Sequence, residues 1–159
     1  GIEDEQAIQK NEFIHVANVM HSILSEIQTE EDIDNSLRKL EEEGIVYDNN
    51  ITAEKLQKML RDSFNIKIVK DWFSDKWQVF NECSILKVNP DNNKVEVKRP
   101  DRVMTDGKQM IVIDFKFAAP KEEHKSQVKE YMQLLNDMGY SNIHGYLSYV
   151  YSKNIIEIK

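Results

Sequence analysis

The feature that most limits how this chain can fold is a short apolar run that ends in charges, MIVIDFKF. Met110 to Ile113 form an uninterrupted apolar segment, which indicates a strand in a protein core. Asp114 and Lys116 follow it, although aspartate is depleted in strands and neither charge is usually buried without a partner. Residues two apart on a strand point to the same side, so the carboxylate and the ammonium share one face.

Size and composition fit one globular domain. Of the 159 residues, 40% are hydrophobic and 31% are charged, which is typical of a globular rather than a disordered chain. No apolar stretch approaches the roughly 20 residues that cross a bilayer, and no signal peptide opens the sequence. The single Cys83 excludes an internal disulfide and a cysteine-only metal cluster. We therefore expect a cytoplasmic protein without a membrane partner.

Charge is unevenly distributed along the chain. The formal net charge of −7 argues against simple electrostatic capture of nucleic acid. Residues 1–65 hold 15 acidic and 6 basic residues, whereas residues 94–129 hold 9 basic and 6 acidic ones. The basic segment surrounds the strand at Asp114, so the negative net charge is compatible with a local positive surface that binds DNA. Because the chain begins abruptly on a polar helical pattern, we also expect it to be a fragment of a longer protein.

The N-terminal half has helical patterns. An amphipathic helix is predicted over residues 5–27, with an apolar stripe of Ile14, Ala17, His21 and Leu24. Thr29 with Asp32 resembles a capping box and predicts a second helix that ends near Gly44. Thr52 is expected to cap a third helix.

Strands follow. Residues 77–88, 94–104 and 109–117 are predicted to form three strands of an antiparallel meander, joined by the turns NPDNN and TDGK. Pro100 cannot donate a ladder hydrogen bond and therefore indicates a strand edge or bulge near Asp101.

The last third predicts a helix over residues 122–138 and strands over residues 143–151 and 154–158. The order of helices, strands, helix and strands indicates one α/β domain. Residues 1–75 would be its N-terminal helical part, and residues 76–159 its sheet-and-helix core.

Asp101 and Asp114 are candidate catalytic residues. They lie 13 residues apart across the TDGK turn, so pairing of the flanking strands can bring the two carboxylates together at one end of the sheet. Adjacent carboxylates repel unless a cation lies between them, and oxygen ligands favour Mg²⁺, with Mn²⁺ as a substitute. The strand end is therefore predicted to be a metal-dependent hydrolytic site. Lys116 would meet developing negative charge or orient a water there.

A solvated surface pair is the more common explanation of an aspartate and a lysine on one strand face. The surrounding order favours a site, because Pro100-Asp101, a spacer and Asp114-Phe115-Lys116 match the PD-(D/E)XK signature.

The wider sequence resembles the RecB-type nuclease family, on the segments RPDRVMTDGKQMIVIDFKF and QVKEYMQLLNDMGY. More specifically, it is similar to the C-terminal nuclease domain of UvrD-like helicase–nucleases of the RecB and AddA kind. The resemblance implies a restriction-endonuclease-like core, with a central mixed sheet flanked by helices. It also implies a Mg²⁺-dependent deoxyribonuclease, of the exonuclease kind, acting in DNA recombination, repair or degradation. Its partners would be DNA (single-stranded or a duplex end), the helicase portion of the same longer chain and a partner helicase–nuclease subunit.

The resemblance assigns further residues. It implies that His21 joins Asp101, Asp114 and the Phe115 carbonyl as a metal ligand, although Ala17 replaces the glycine that the family has four residues earlier. The family's Gln-x-x-x-Tyr motif matches Gln127 and Tyr131, which would position the substrate. Helix packing is an equally frequent reason for that spacing.

The remaining candidates rest on charge. Glu82 could accept a hydrogen bond from Lys116 or bind the metal through water, and a cross-strand salt bridge explains it equally well. Candidate phosphate contacts are Arg99, Arg102, Lys121, Lys125 and Lys129, although charged runs are usually solvated. His15, His124 and His144 are not expected to be ligands. A free-standing endonuclease and a non-catalytic DNA-binding or scaffolding module are the alternative functions.

Overall fold

The structure, a computed structural model, describes residues 1–45, 52–80 and 83–159. The chain divides into two units, Gly1–Ser74 and Asp75–Lys159. The first unit is helical, and every strand of the described residues lies in the second. The class is therefore mixed α/β, as the sequence predicts.

The first unit is built from short helices after one long helix. They are α1 (Ile2–Glu26), a 3-10 turn (Glu30–Asp32), α2 (Ile33–Glu42), α3 (Ala53–Ser63) and α4 (Lys67–Trp72). Thr52 caps α3 as predicted, because its Oγ1 accepts the Lys55 backbone N–H at 3.1 Å. Gly44, with φ of 77°, follows the end of α2. In the described part of the chain, no helix has both the length and the apolar character that a membrane span requires.

The buried face of α1 differs from the predicted stripe. Among its described side chains, the most buried are those of Val19, Met20, Ile23 and Leu24, each at most 4% exposed. Ile14, which the predicted stripe included, is 45% exposed, so the prediction is wrong there. Burial follows the dense apolar cluster in the second half of the helix, and not a single regular spacing along its whole length. His21 lies beside this cluster and is half-buried.

A five-stranded mixed sheet forms the centre of the second unit. Its order is β1 (Gln78–Val79), β4 (Arg102–Thr105), β5 (Met110–Lys116), β6 (Ile143–Tyr149) and β7 (Asn154–Ile158). β5 and β6 are parallel, and the other neighbours are antiparallel. Parallel neighbours need a crossover connection, and here it contains α5 (Glu122–Asp137), which packs against the sheet.

The predicted three-stranded meander is wrong, because its first two strands are each divided. β2 (Ile85–Val88) and β3 (Val95–Lys98) pair in a separate two-stranded sheet, the β2–β3 hairpin. β1 precedes this hairpin and β4 follows it, both in the main sheet. Pro100 lies between β3 and β4, where a residue without an N–H cannot continue the ladder. The predicted edge or bulge is thus a complete break.

The β2–β3 hairpin has two different faces. Toward α5, Ile85 is 1% exposed and Lys87 forms a 2.6 Å ion pair with Glu130. On the other face the ladder pairs Leu86 with Val97 and Val88 with Val95, and these four side chains are 53–64% exposed.

The core between α5 and the main sheet determines which way the end of β5 faces. Met110 and Val112 of β5 belong to one buried cluster with Val128 and Leu135 of α5. Since alternate residues of a strand share a face, Asp114 and Lys116 continue this side of β5 beyond the apolar cluster. The charged end of β5 therefore lies on the side of the sheet that α5 covers.

Gly145 on β6 lets α5 approach the sheet closely. A Cβ at this position would lie 2.5 Å from Met132 Sδ and 2.8 Å from Val128 Cγ1. We expect Gly145→Ala to lower the free energy of unfolding by about 1–3 kcal/mol, because the Met132 and Val128 side chains, or α5 with them, must shift to admit the methyl group. Urea unfolding measures this. The same substitution should cost less in a Met132→Ala background, and an equal cost in both backgrounds would contradict the packing argument.

Candidate functional site

The two predicted catalytic aspartates lie next to each other. The β4–β5 ladder pairs Arg102 with Ile113, which places Asp101 opposite Asp114 one step further on. The Asp101 backbone N–H donates to Asp114 Oδ1 at 3.2 Å, and the Phe115 backbone N–H donates to Asp101 Oδ2 at 2.8 Å. The Asp114 carboxylate thus accepts a hydrogen bond from the backbone of Asp101. The Asp101 carboxylate accepts one from the residue that follows Asp114. The predicted pairing around the TDGK turn is present.

The TDGK turn sets this register through its own side chains. Thr105 Oγ1 donates to the Gln109 carbonyl at 2.7 Å and accepts the Gly107 N–H at 3.1 Å. Gly107 has φ of 91°, a conformation that favours glycine. Asp106 accepts the backbone N–H groups of Lys108 and Gln109. The hydrogen bond from Lys108, followed by that from the Gln109 side chain, lowers the pKa of the Asp106 carboxyl.

Lys116 connects the carboxylates to α5. Its Nζ lies 3.6 Å from Asp114 Oδ2 and donates to Gln127 Oε1 at 2.9 Å. The Asp114 side chain is 3% exposed and that of Lys116 is 22% exposed, so the ammonium lies between a buried carboxylate and the surface. Gln127 therefore holds the lysine in position on the Asp114 face of β5.

Tyr131 approaches the site from the core. Its residue is 3% exposed, and its ring belongs to the apolar cluster under α5. Burial raises the pKa of its phenol above the usual range, and the charges of Asp114 and Asp101 raise it further. The hydroxyl is therefore neutral at physiological pH and lies in the electrostatic field of both carboxylates. Ordinary helix packing explains the buried position of the Tyr131 ring. Its hydroxyl is the part that could contact a bound substrate or ion.

The carboxylate pair has the donor chemistry that a hard divalent cation requires. Asp101 and Asp114 supply oxygen atoms only, they are held together by the backbone, and Asp114 is almost completely buried. Within residues 1–45, 52–80 and 83–159, no group of three or more His, Cys, Asp or Glu side chains is arranged to hold a metal ion. The two aspartates are thus the donors that the second unit brings together.

The predicted roles of two ligands and one supporting residue are not decided by these contacts. His21 lies on α1 in the first unit, and its role as a ligand stays a prediction. The same holds for the Phe115 carbonyl, which belongs to the residue after Asp114 in β5. Glu82 lies outside the described residues.

Arg102 is not the surface phosphate contact that the sequence suggests. It is 1% exposed, and its Nε lies 3.4 Å from Met104 Sδ, a residue on the same strand. Strand alternation turns it to the face opposite Asp101. Burial lowers the pKa of its guanidinium to about 10, which still leaves it charged at neutral pH. Charge alone could not reveal this, because Arg102 is buried through its position at the start of β4.

The predicted lysines differ in their surroundings. Lys121 is exposed immediately before α5, as a phosphate contact must be. Lys125 is half-buried and lies 3.5 Å from Glu122, which offsets part of its charge. Arg99 and Lys129 are exposed.

The sequence interpretation missed a histidine–tyrosine pair beside Lys116. His124 Nδ1 lies 2.9 Å from the Tyr149 hydroxyl, and Tyr149 is the ladder partner of Lys116 on β6. The signal was the helical spacing of His124, three residues before Gln127 and seven before Tyr131, which places all three on one side of α5.

No model of a known protein family matches the chain, and no curated protein matches it.

The reciprocal hydrogen bonds give Asp101 a structural role that substitutions can isolate. Asp101→Ala removes the acceptor of the Phe115 N–H in a residue that is 2% exposed. We expect it to lower the free energy of unfolding by about 1–3 kcal/mol in EDTA, the cost of an unsatisfied buried donor. Asp101→Asn removes the same charge but keeps an oxygen acceptor, so it should cost less. Urea unfolding of both variants measures the difference, and equal losses would mean that this hydrogen bond does not stabilise the strand end.

Proposed function

We propose that the second unit is the catalytic part of a metal-dependent deoxyribonuclease that hydrolyses phosphodiester bonds. The observation that carries the proposal is the adjacency of Asp101 and Asp114 at the end of β5, with Lys116 on the same face. Two carboxylates beside one ammonium match the requirements of hydrolysis at a phosphate, namely oxygen donors for a cation and a positive group for the reacting anion. The resemblance to RecB-type nucleases supports the same reaction.

Asp101 and Asp114 would hold Mg²⁺, or Mn²⁺ as a substitute, and the same cation would offset their mutual repulsion. When bound, the ion supplies a polarised phosphate and a water of lowered pKa. The strand backbone fixes both carboxylates before any ion arrives, because the N–H groups of Asp101 and Phe115 already bind one oxygen of each. His21 and the Phe115 carbonyl remain proposed additional ligands.

Lys116 would orient the attacking water and balance negative charge on the phosphate. Gln127 accepts a 2.9 Å hydrogen bond from the Lys116 Nζ and so keeps that atom near Asp114. The Tyr131 hydroxyl, neutral and in the electrostatic field of both carboxylates, would orient one of them or the water between them. Lys121, exposed immediately before α5, would bind the DNA backbone.

The proposed partners are DNA, single-stranded or as a duplex end, and the helicase portion of a longer helicase–nuclease. Restriction-endonuclease-like architecture and a role in DNA recombination, repair or degradation belong to the same proposal. The alternative with an observation in its favour is a structural motif. The backbone hydrogen bonds and the Asp114–Lys116 ion pair would by themselves account for buried charges at a strand end.

Cleavage assays separate these functions. We expect the full chain to cleave single-stranded or duplex DNA with Mg²⁺ or Mn²⁺ and not with EDTA. Asp114→Asn should reduce cleavage by at least about a hundredfold, since losing an electrostatic group at the reacting centre costs roughly 10²–10³ in rate. Lys116→Met should cause a loss of similar size. Asp91→Asn, at an exposed turn of the β2–β3 hairpin, is the matched control and should keep full activity. A wild-type chain inactive with both metals would contradict the proposal.

Thermal unfolding tests metal binding without catalysis. Mn²⁺ should raise the Tm of the wild type, because an ion that binds only the folded state stabilises it by about 2.7 kcal/mol at one hundred times its Kd. Asp114→Asn should lose most of this increase, yet be no less stable than the wild type in EDTA, because it relieves the repulsion with Asp101. A mutant that is unstable in EDTA, together with a wild type that does not respond to Mn²⁺, would instead identify Asp114 as a structural partner of Lys116.

A further inference from the structure

His124 and Tyr149 form a polar contact between α5 and β6. His124 Nδ1 is 2.9 Å from the Tyr149 hydroxyl, and the two ring centroids lie 5.7 Å apart at 41°. Tyr149 is 2% exposed, whereas His124 is half-buried and thus reaches the surface. The buried phenol fixes one nitrogen of the imidazole and leaves the other, Nε2, as the nitrogen available to a ligand.

This pair continues the row of groups that begins at the carboxylates. Tyr149 is opposite Lys116 in the parallel ladder, and Lys116 is bound by Gln127, one helical turn after His124. Along α5, Tyr131 is in the electrostatic field of the two aspartates, Gln127 contacts Lys116, and His124 contacts Tyr149. We call His124, Gln127 and Tyr131 the polar row of α5.

The charges around His124 resemble the surroundings of an anion-binding group. Burial lowers the pKa of its imidazole below the usual value, and the positive charges of Lys116 on β5 and Lys121 before α5 lower it further. Glu123 acts weakly in the opposite direction, and Tyr149 of β6 contributes a neutral hydroxyl. The ring is therefore neutral near pH 7 and lies in a positive local field. A phosphate in contact with the ring would offset that field.

We propose that His124 is a further substrate-positioning residue, whose Nε2–H donates to the DNA phosphate adjacent to the scissile one while the Tyr149 hydroxyl holds Nδ1. This inference rests on the proposed nuclease function and extends its site along α5, from Gln127 to His124 one helical turn earlier. Successive phosphates of one strand would then meet Lys116 and His124 in order. If the pair serves only to attach α5 to β6, DNA has no effect on the imidazole.

Nuclear magnetic resonance titration of the full chain tests the contact without catalysis. In EDTA, a short thymidine oligonucleotide should raise the pKa of His124, because a bound phosphate favours the imidazolium. The His144 signal should not move, since that histidine of the same unit bonds to Asn142 at the opposite end of β6. A His124 pKa that is unchanged at saturating oligonucleotide, or absence of oligonucleotide binding, would overturn the inference.

Kinetics provide the second measurement. His124→Ala should raise the KM for a short oligonucleotide about tenfold or more with little change in kcat, as expected for the loss of a hydrogen bond to a charged group. His124→Gln, whose amide can take the place of Nε2, should recover part of the loss, and His144→Ala should behave as the wild type. If His124→Ala leaves the KM unchanged, the inference is overturned. Cleavage by the wild type would still support the nuclease function in that case. Conversely, a chain that cleaves nothing but shows the oligonucleotide-dependent pKa change retains the contact and loses the nuclease function.

Discussion

The hydrogen-bonded ladder between β4 and β5 sets the separation of Asp101 and Asp114, and the other contacts of the site follow from it. A shift of one residue in this register would turn one aspartate to the other face of the sheet. The Thr105 and Asp106 side chains restrain the turn between β4 and β5. At the other end of the ladder, the restraint comes from the two hydrogen bonds that Asp101 forms with Asp114 and Phe115. The carboxylates are therefore positioned by hydrogen bonds at both ends of the ladder, so the proposed metal site would be formed before its ion binds.

Charge at the end of β5 is arranged so that no group depends on solvent alone. Asp114 is buried beside Lys116, and Lys116 is bound by Gln127. Tyr131 remains protonated in the same field because ionising it would add a third negative charge in a desolvated place. Arg102, on the opposite face of β4, is buried as well. Asp101, just before β4, and Arg102, the first residue of β4, thus carry opposite charges on opposite faces of the sheet, and such charges are seldom buried.

Local patterns predicted the main-sheet strand β5, the following helix and the last two strands, because in each the apolar spacing agrees with the burial that the fold provides. The same reasoning failed where a continuous strand-like stretch serves two sheets. KVEVKRPDRVM contains no turn signal other than Pro100, and only tertiary pairing determines that its halves belong to different ladders. The aspartate pair could be predicted because the turn between them fixes their register. The neighbouring His124–Tyr149 contact could not, since it depends on how α5 lies over a parallel strand that is distant in sequence.

The β2–β3 hairpin lies between β1 and β4 in sequence, yet β1 and β4 are neighbours in the main sheet. The hairpin is thus an insertion between two neighbouring strands at one edge of the main sheet. The strand order of that sheet does not depend on the length of the hairpin. Loop length alters closure entropy only slowly. Insertions or deletions at its NPDNN turn can therefore accumulate during evolution without changing the β4–β5 register. What such changes alter is the outer surface beside α5, so related chains can diverge there while the aspartates stay in place.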